Sequence, residues 1–572
     1  MSQMHNPYAE ERCKAVFEIS KGVARIFAVV FMSVLWFPPL WEHIAQASKG
    51  RWQDTPVVRL FHWPSGQKLV VHLNDVEKSM EHSGYAVAMR HTVQDWMTNF
   101  AGEGSHKVFI GYNDVLFYQP DLKSITGYGP LKPEPFSVMK DPDLAKVSDA
   151  KSIINRFAAQ LRERGIDLLV VPVPLKSMLY SEYVFGVTNY DWITHPDAPE
   201  FYKELRASGI DVLDLTSDLA ALRDKRKHVF IRQPDPKDKA AIAQADAESK
   251  ETLDAFLKQD THWTPDAMRF VAEKVAGHVK KNHPRALPAS PSDIRAVDGV
   301  DRESMGDLVK MLDLKDAQQS FAPERVFLKV IGEGTESKNS TVVLMGDSFV
   351  NVFDDPTLGF ENPTNPAERI RAGFAQHLSL LLQQPLDVIA MNGKGSTGVR
   401  KALAARYDNE VRAKKLVIWV IAARDLLLSR SAAREANIEW ADVSFNPKPS
   451  PDAASVGTAP ATTSIVIEAK LVEKSKNQDP NGSPYRDALH TALYDVEKVV
   501  SGSLDTKQVL GIQWTFKDKT MQPTASFGTG QRYRLTLVPW DTKKELQSIN
   551  LQDDSTAFDV GRWFVEKAEP LP

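Results

Sequence analysis

In the stretch "TVVLMGDSFV", residues 341–350, apolar and β-prone residues run into Gly-Asp-Ser before apolar residues resume, so a buried strand ends by presenting Ser348. A serine hydroxyl is a poor nucleophile at its own pKa; it needs a base, and the base needs a group to orient it. The stretch "QDTHWTPDAMRF", residues 259–270, supplies both. An Asp two residues before a His lets the carboxylate accept from one imidazole nitrogen while the other nitrogen faces a nucleophile. The expected triad is Ser348 as nucleophile, His262 as general base and acid, and Asp260 as the orienting carboxylate. Plainer readings compete with it. Gly-Asp-Ser at a strand end is also an ordinary turn in which Asp347 bonds local backbone. Asp260 and His262 could be helix-cap residues, or two ligands of a metal site completed by Asp347.

The elements that must position these residues follow from the hydrophobic pattern. Thr264, Pro265 and Asp266 make a helix start: a hydroxyl N-cap, a proline in the first turn and an acid favoured by the dipole. Asp260 and His262 then sit in the loop entering that helix. "VFIGYNDVLFY" at 108–118 reads as a hairpin turning at Asn113-Asp114. An α/β rhythm comes next, with helices expected near 148–164, 198–208, 366–382 and 397–407. Strands are expected at 167–174, 211–215, 325–331, 341–345, 386–391 and 415–422. Short apolar strands separated by helices imply a largely parallel sheet buried on both faces, a three-layer α/β core with Ser348 at its carboxyl edge. Residues 56–100 carry no assignable pattern, 446–464 are rich in Pro, Ala, Ser and Thr without a period, and alternation resumes at 464–472, 509–516 and 533–540. The expected organisation is 1–47 as a cytoplasmic N-terminus with a signal segment, 48–445 as the catalytic domain, 446–464 as linker, and 465–572 as a small all-β barrel or sandwich.

Composition bounds the function. The chain has 572 residues, 42% hydrophobic and 25% charged, with a formal charge of -4 spread along it, which excludes a disordered chain and gives no basic stripe for nucleic acid. Cys13 is the one cysteine, so no intrachain disulfide and no multi-cysteine zinc site is possible. The apolar run at 26–41 comes after Arg12, Lys14, Lys21 and Arg25, a polarity that keeps the N-terminus in the cytoplasm and exports the chain beyond the run. Ala45-Gln46-Ala47 fits a cleavage site, but the long basic region favours a retained inner-membrane anchor, and the rest of the chain is expected in the periplasm.

"GDSF" at 346–349 resembles the first signature of SGNH-type hydrolases, and "DTHWT" at 260–264 resembles the Asp-x-His element of their alginate O-acetyltransferase branch. "VFIGYNDVLFY" at 108–118 and "VVPVPLKSMLY" at 170–180 are similar to that branch's hairpin and proline-punctuated strand. The resemblance covers about residues 105–430. It implies an SGNH-hydrolase-like core with permuted element order, since the Asp-His element here precedes the serine. It implies further that Ser348 takes an acetyl group from a donor and passes it, through an acyl-enzyme, to hydroxyls of an exported polysaccharide. A membrane protein supplying acetyl would be a partner, no cofactor or metal is expected, and the Ser348 amide would begin the oxyanion hole. Asn392 and Gly393 in "MNGKGSTG" at 391–398 are further candidates, although that loop also reads as a plain turn capped by Thr397. Arg424, in "AARDL", either faces the site or pairs with a helix end, and Asn113 matches the Gly-x-Asn letters of ordinary SGNH enzymes. A carbohydrate acetylesterase would use the same triad with water as acceptor. A polysaccharide-binding scaffold would instead rely on β-domain aromatics such as Trp514, Tyr533 and Trp540, which also read as core.

Overall fold

The computed structural model describes residues 21–48, 84–132, 149–186, 192–223, 253–365, 368–445, 464–475, 477, 480, 487–504, 506–543, 546, 549–552 and 560–571, together with scattered residues between 55 and 80. The chain forms two compact units, Met1–Ala101 and Gly102–Pro572. The first contains the helices Lys21–Ala47 and Gly84–Trp96. The apolar side chains Ile26, Phe27, Val30, Phe31, Trp36 and Phe37 of the former are exposed. No described helix is long and apolar enough to cross a membrane.

In the second unit the hairpin forms as expected, with β1 (Val108–Ile110) antiparallel to β2 (Leu116–Tyr118) and Val108 opposite Tyr118. Asn113 and Asp114 take left-handed φ of 55° and 56°, a conformation that Asn and Asp tolerate best among residues with a Cβ. Asn113 is therefore the hairpin turn. The central sheet contains β3 (Asp167–Val173), β4 (Asp211–Val212), β7 (Val342–Gly346), β8 (Asp387–Ala390) and β9 (Leu416–Ala422), in the order β4-β3-β9-β7-β8 and parallel throughout. All seven residues of β9 are buried, so both faces of the sheet are covered. This is why "LVIWVIA" is apolar without alternation. The helices α1 (Ala150–Arg162), α2 (Pro265–Asn282), α3 (Phe374–Leu382) and α4 (Gly398–Ala404) belong to the covering layers. Phe157 of α1 meets Trp419 of β9 edge-on at 5.9 Å.

Two sequence readings in this core are corrected. The strand read at 325–331 is β6 (Glu324–Ile331), which pairs antiparallel with β5 (Ala296–Ser304) in a separate ribbon rather than joining the sheet. Its charged residues Arg325 and Lys329 interrupt the apolar ones, and β5, "AVDGVDRES", is too polar to lie between helical layers. The helix read at 366–382 starts only at Phe374, after Gly373, because Asp354 engages the preceding segment by accepting the amide of Arg371 at 3.0 Å.

The linker expected at 446–464 lies, except for its last residue, outside the described residues. Beyond it β10 (Ile465–Lys474), β11 (Ala488–Ser501), β12 (Gln508–Lys517), β14 (Arg532–Pro539) and β16 (Arg562–Pro570) close into a barrel, with the short β13 (Thr520–Met521) and β15 (Asn550–Gln552) on its margins. Counting barrel strands one to five, the order is 1-2-3-5-4-1 with strands 3 and 5 parallel, the connectivity of five-stranded Greek-key barrels. Tyr533 is buried in the barrel interior, stacked on Phe527 at 4.0 Å, and Trp514 and Trp540 both pack on Phe564. The barrel also holds a buried polar chain. The Tyr494 hydroxyl donates to Gln513 at 2.9 Å, the Gln513 amide to His490 Nε2 at 2.9 Å, and His490 Nδ1 to Thr515 at 2.9 Å. Burial pushes the His490 pKa down to about 3.

Candidate active site

β7 ends at Gly346, where a Cβ would fall 2.3 Å from Val350 and 3.0 Å from the carbonyl of Val420, so only glycine lets the chain turn this close to β9. Asp347 then caps a single helical turn, Ser348–Asn351, by accepting the Phe349 amide at 3.0 Å. Ser348 opens that turn at the carboxyl edge of the sheet and is buried to 9% exposure. The Phe349 ring lies edge-on to His262 at 4.9 Å and to Trp263 at 5.2 Å. Asp347, on the other side of Ser348, acts on His262 electrostatically. Both neighbours of the serine in sequence therefore address the same imidazole.

His262 and Asp260 lie ahead of α2 as expected, with Thr264 accepting the Ala267 amide as N-cap. Asp260 Oδ1 takes the His262 Nδ1 proton at 2.6 Å and the His262 amide at 3.0 Å. Its Oδ2 accepts the Asp307 amide at 2.9 Å. With Nδ1 committed to the carboxylate, Nε2 is the lone-pair nitrogen, and it is buried without a hydrogen-bond partner among the described residues. Burial alone would lower the His262 pKa, but Asp260, Asp307 and Asp347 outweigh it and raise it above the ordinary imidazole range. Burial likewise works against the Asp260 charge, yet His262 and the N–H donors around it hold its pKa below the usual carboxylate value.

Three residues that sequence reasoning did not find hold this loop. Asp307 accepts the Thr261 amide at 2.7 Å and its hydroxyl at 2.5 Å, with its Oδ2 3.8 Å from His262 Nδ1. Glu324 accepts the amides of Lys258 and Gln259, each at 2.7 Å. Lys176, buried, donates to the carbonyls of Leu116 at 2.6 Å and Lys258 at 3.0 Å, and burial depresses its pKa to about 8. Gly306 has φ +71° and lies so close to the Gln259 carbonyl that a Cβ would fall 2.2 Å from it. The Gly306-Asp307 pair was the one sequence signal available, a second Gly-Asp like that before Ser348. Asp260, His262 and Asp307 are near enough to be read as a cation site. However, every oxygen of both carboxylates already accepts an N–H or O–H, and Asp347 is not in the cluster.

Arg424 faces this region. It donates to Asp121 at 2.9 Å, pairs with Asp425 at 3.3 Å and lies over the Tyr118 ring at 5.3 Å. Burial opposes its charge, but Asp121, Asp425, Tyr118 and Asp347 hold its pKa above the ordinary value. Burial in turn pushes Asp425 up to about 7. Asn392 is buried behind the Ser348 turn, where its amide donates to Asp355 at 2.8 Å and its oxygen accepts from Asn351 at 3.0 Å. Gly393 lines a small cavity of about 50 Å³ with Lys394, Lys401, Leu551 and Arg562, where the barrel meets the core. In the same loop Gly395 packs on Asp347, to which a Cβ would come within 3.0 Å. Thr397 does not cap α4; its hydroxyl reaches the Glu439 carbonyl at 2.5 Å.

The family described as SGNH hydrolase-like domain, acetyltransferase AlgX, matches residues 136–235 and 237–423, just over half of the chain. The chain is 27% identical over 340 residues to the probable alginate O-acetylase AlgJ of Pseudomonas aeruginosa, covering 59% of this chain and 75% of that protein. Among solved structures, the O-acetyltransferase domain of Pseudomonas putida AlgJ matches with 19% identity and a TM-score of 0.37, covering 56% of this chain and 91% of that one. Pseudomonas aeruginosa AlgX matches with 15% identity and a TM-score of 0.33, covering 67% and 71%.

Proposed function

Since the chain belongs to the SGNH hydrolase-like acetyltransferase family of AlgX and is an SGNH-type O-acetyltransferase, we propose that it moves acetyl groups to polysaccharide hydroxyls through an acyl-enzyme on Ser348. The observation that carries this is the His262 imidazole, fixed through Nδ1 by Asp260 at 2.6 Å, packed on the residue after Ser348, and left with Nε2 unpartnered among the described residues.

Nε2 takes the Ser348 hydroxyl proton as Oγ attacks the donor's acetyl carbonyl, and Asp260 stabilises the imidazolium that forms. The Ser348 amide, at the start of a helical turn, donates to the tetrahedral oxyanion. Collapse expels the donor's leaving group, which takes the proton from His262. A sugar hydroxyl then attacks the acetyl-serine while His262 takes its proton, and that proton returns to Ser348 Oγ as the ester leaves. Arg424 supplies a fixed positive charge beside Asp347 throughout.

The basic flank of Arg12, Lys14, Lys21 and Arg25, with the exposed apolar side chains of the helix Lys21–Ala47, supports a periplasmic enzyme held at the inner membrane, acting on an exported polymer beside a membrane acetyl donor. Activity is tested with a chromogenic acetyl ester, with and without an oligosaccharide acceptor. Acetylated oligosaccharide formed at the expense of free acetate supports transfer. Release to water unaffected by the acceptor would make the chain an esterase instead.

A further inference from the structure

At the end of α2 remote from His262, three metal-ligating side chains converge. Asp211 opens β4, His278 lies on the last turns of α2, and His283 comes directly after the helix as its C-cap. Asp211 Oδ2 is 2.6 Å from His278 Nε2 and 2.9 Å from His283 Nε2. We propose that Asp211, His278 and His283 bind one divalent transition-metal ion, zinc being the best fit, at the amino ends of β3 and β4.

Two neutral imidazoles and one carboxylate are the donor set of an open four-coordinate zinc site, with water in the remaining position. Ligand bonds of about 2.0–2.2 Å place tetrahedral ligand atoms about 3.3 Å apart, so side-chain shifts of under about 1 Å convert the present contacts into coordination. Asp167, the first residue of β3, accepts from His283 Nδ1 at 3.1 Å. That contact fixes the tautomer and directs Nε2 at Asp211, the arrangement in which a second carboxylate orients a metal-bound imidazole. The side chains of His278 and Asp211 are 20% and 30% exposed, which gives an ion a route in and a water a place to stand. An ion bound here would take the place of the proton that joins an imidazole to Asp211. The eighteen residues of α2 span about 27 Å, so the ion takes no part in chemistry at His262. It ties the helix beyond the Asp260-His262 loop to the edge of the sheet.

The test is calorimetric titration of metal-stripped, tag-free full chain with zinc chloride. The expected result is one saturable site, weakened at least thirtyfold by His278→Ala or His283→Ala, roughly tenfold by Asp167→Ala, and unaffected by His262→Ala. Should either alanine variant misfold, His278→Gln and His283→Gln keep a polar group of similar reach but not the ligand. Zinc should raise Tm by a few degrees in the wild type and not in these variants. Absence of saturable uptake, uptake that survives loss of both His278 and His283, or uptake abolished by His262→Ala would overturn the proposal.

Discussion

The α/β core and the C-terminal barrel each bury a histidine, partnered on one ring nitrogen in the core and on both in the barrel, and the two imidazoles are driven in opposite directions. In the barrel, His490 sits between the Gln513 amide and the Thr515 hydroxyl, both neutral, and burial lowers its pKa to about 3. In the core, His262 is as deeply buried, but Asp260 at 2.6 Å, Asp307 at 3.8 Å and Asp347 reverse the direction. His377 makes the same point: burial, helped by the Arg269 charge, lowers it to about 3 although its hydrogen bond to the Lys329 carbonyl at 3.1 Å works the other way. Burial alone expels the imidazolium, and a carboxylate on Nδ1 restores basicity while leaving Nε2 for chemistry. The fully partnered imidazole is structural; the one with an unpartnered nitrogen is the candidate base.

The largest expected effect is at His262 itself. His262→Ala should lower acetyl transfer by roughly a thousandfold or more, Ser348→Ala should do at least as much, and the double variant should be hardly worse than either, because groups acting as a unit are non-additive. Initial rates with the chromogenic ester decide this. The same variants should leave His490 and the barrel unchanged by NMR.

Asp260→Asn is expected to cost on the order of a thousandfold through the wrong tautomer, and it sharpens the comparison by its pH profile. In the wild type, kcat/KM falls as pH falls through the raised His262 pKa, because the protonated imidazole cannot take the serine proton. Without the Asp260 charge, burial dominates as it does at His490, so the acid limb of the residual activity should move to lower pH. An unmoved limb would mean that Asp260 does not set the base.

The converse change is Gln513→Glu, which gives His490 a carboxylate at the position of the present 2.9 Å contact. Its pKa should rise by about two units or more, read by NMR titration, with acetyl transfer unaltered. The smallest effect is on stability. The folded-state pKa of His490 lies below its unfolded value of about 6.5, so the unfolded chain gains a proton that the folded barrel refuses as pH drops. Stability should therefore fall between about pH 6.5 and 3, by up to about 2 kcal/mol from this group at pH 5. His490→Gln should remove that dependence, measured by denaturant unfolding at pH 7 and pH 5.

Much of this was legible in the sequence where one local rule sufficed. Unalternating apolar runs gave β3, β7 and β9, and Thr264-Pro265 gave the start of α2. The helix start and the strand end together placed Asp260, His262 and Ser348 at one edge of the sheet. The features that escaped depend on pairing across the chain. Asp307, Glu324 and Lys176 act on the Asp260 loop from 47, 65 and 82 residues away, at spacings that obey no period. β11 was missed because its inner half carries buried His490 and Thr491 among apolar residues, so neither alternation nor a clean apolar run marks it. His278 and His283 are ordinary helix-end residues until β4 brings Asp211 beside them.

The most direct test of the account is to trap the acyl group. Protein exposed briefly to an acetyl ester, quenched in acid, digested and mapped by mass spectrometry should carry acetyl on Ser348 in the wild type. The label should not accumulate on that residue in His262→Ala. Acetyl found elsewhere in the chain, or undiminished turnover by Ser348→Ala, would contradict it.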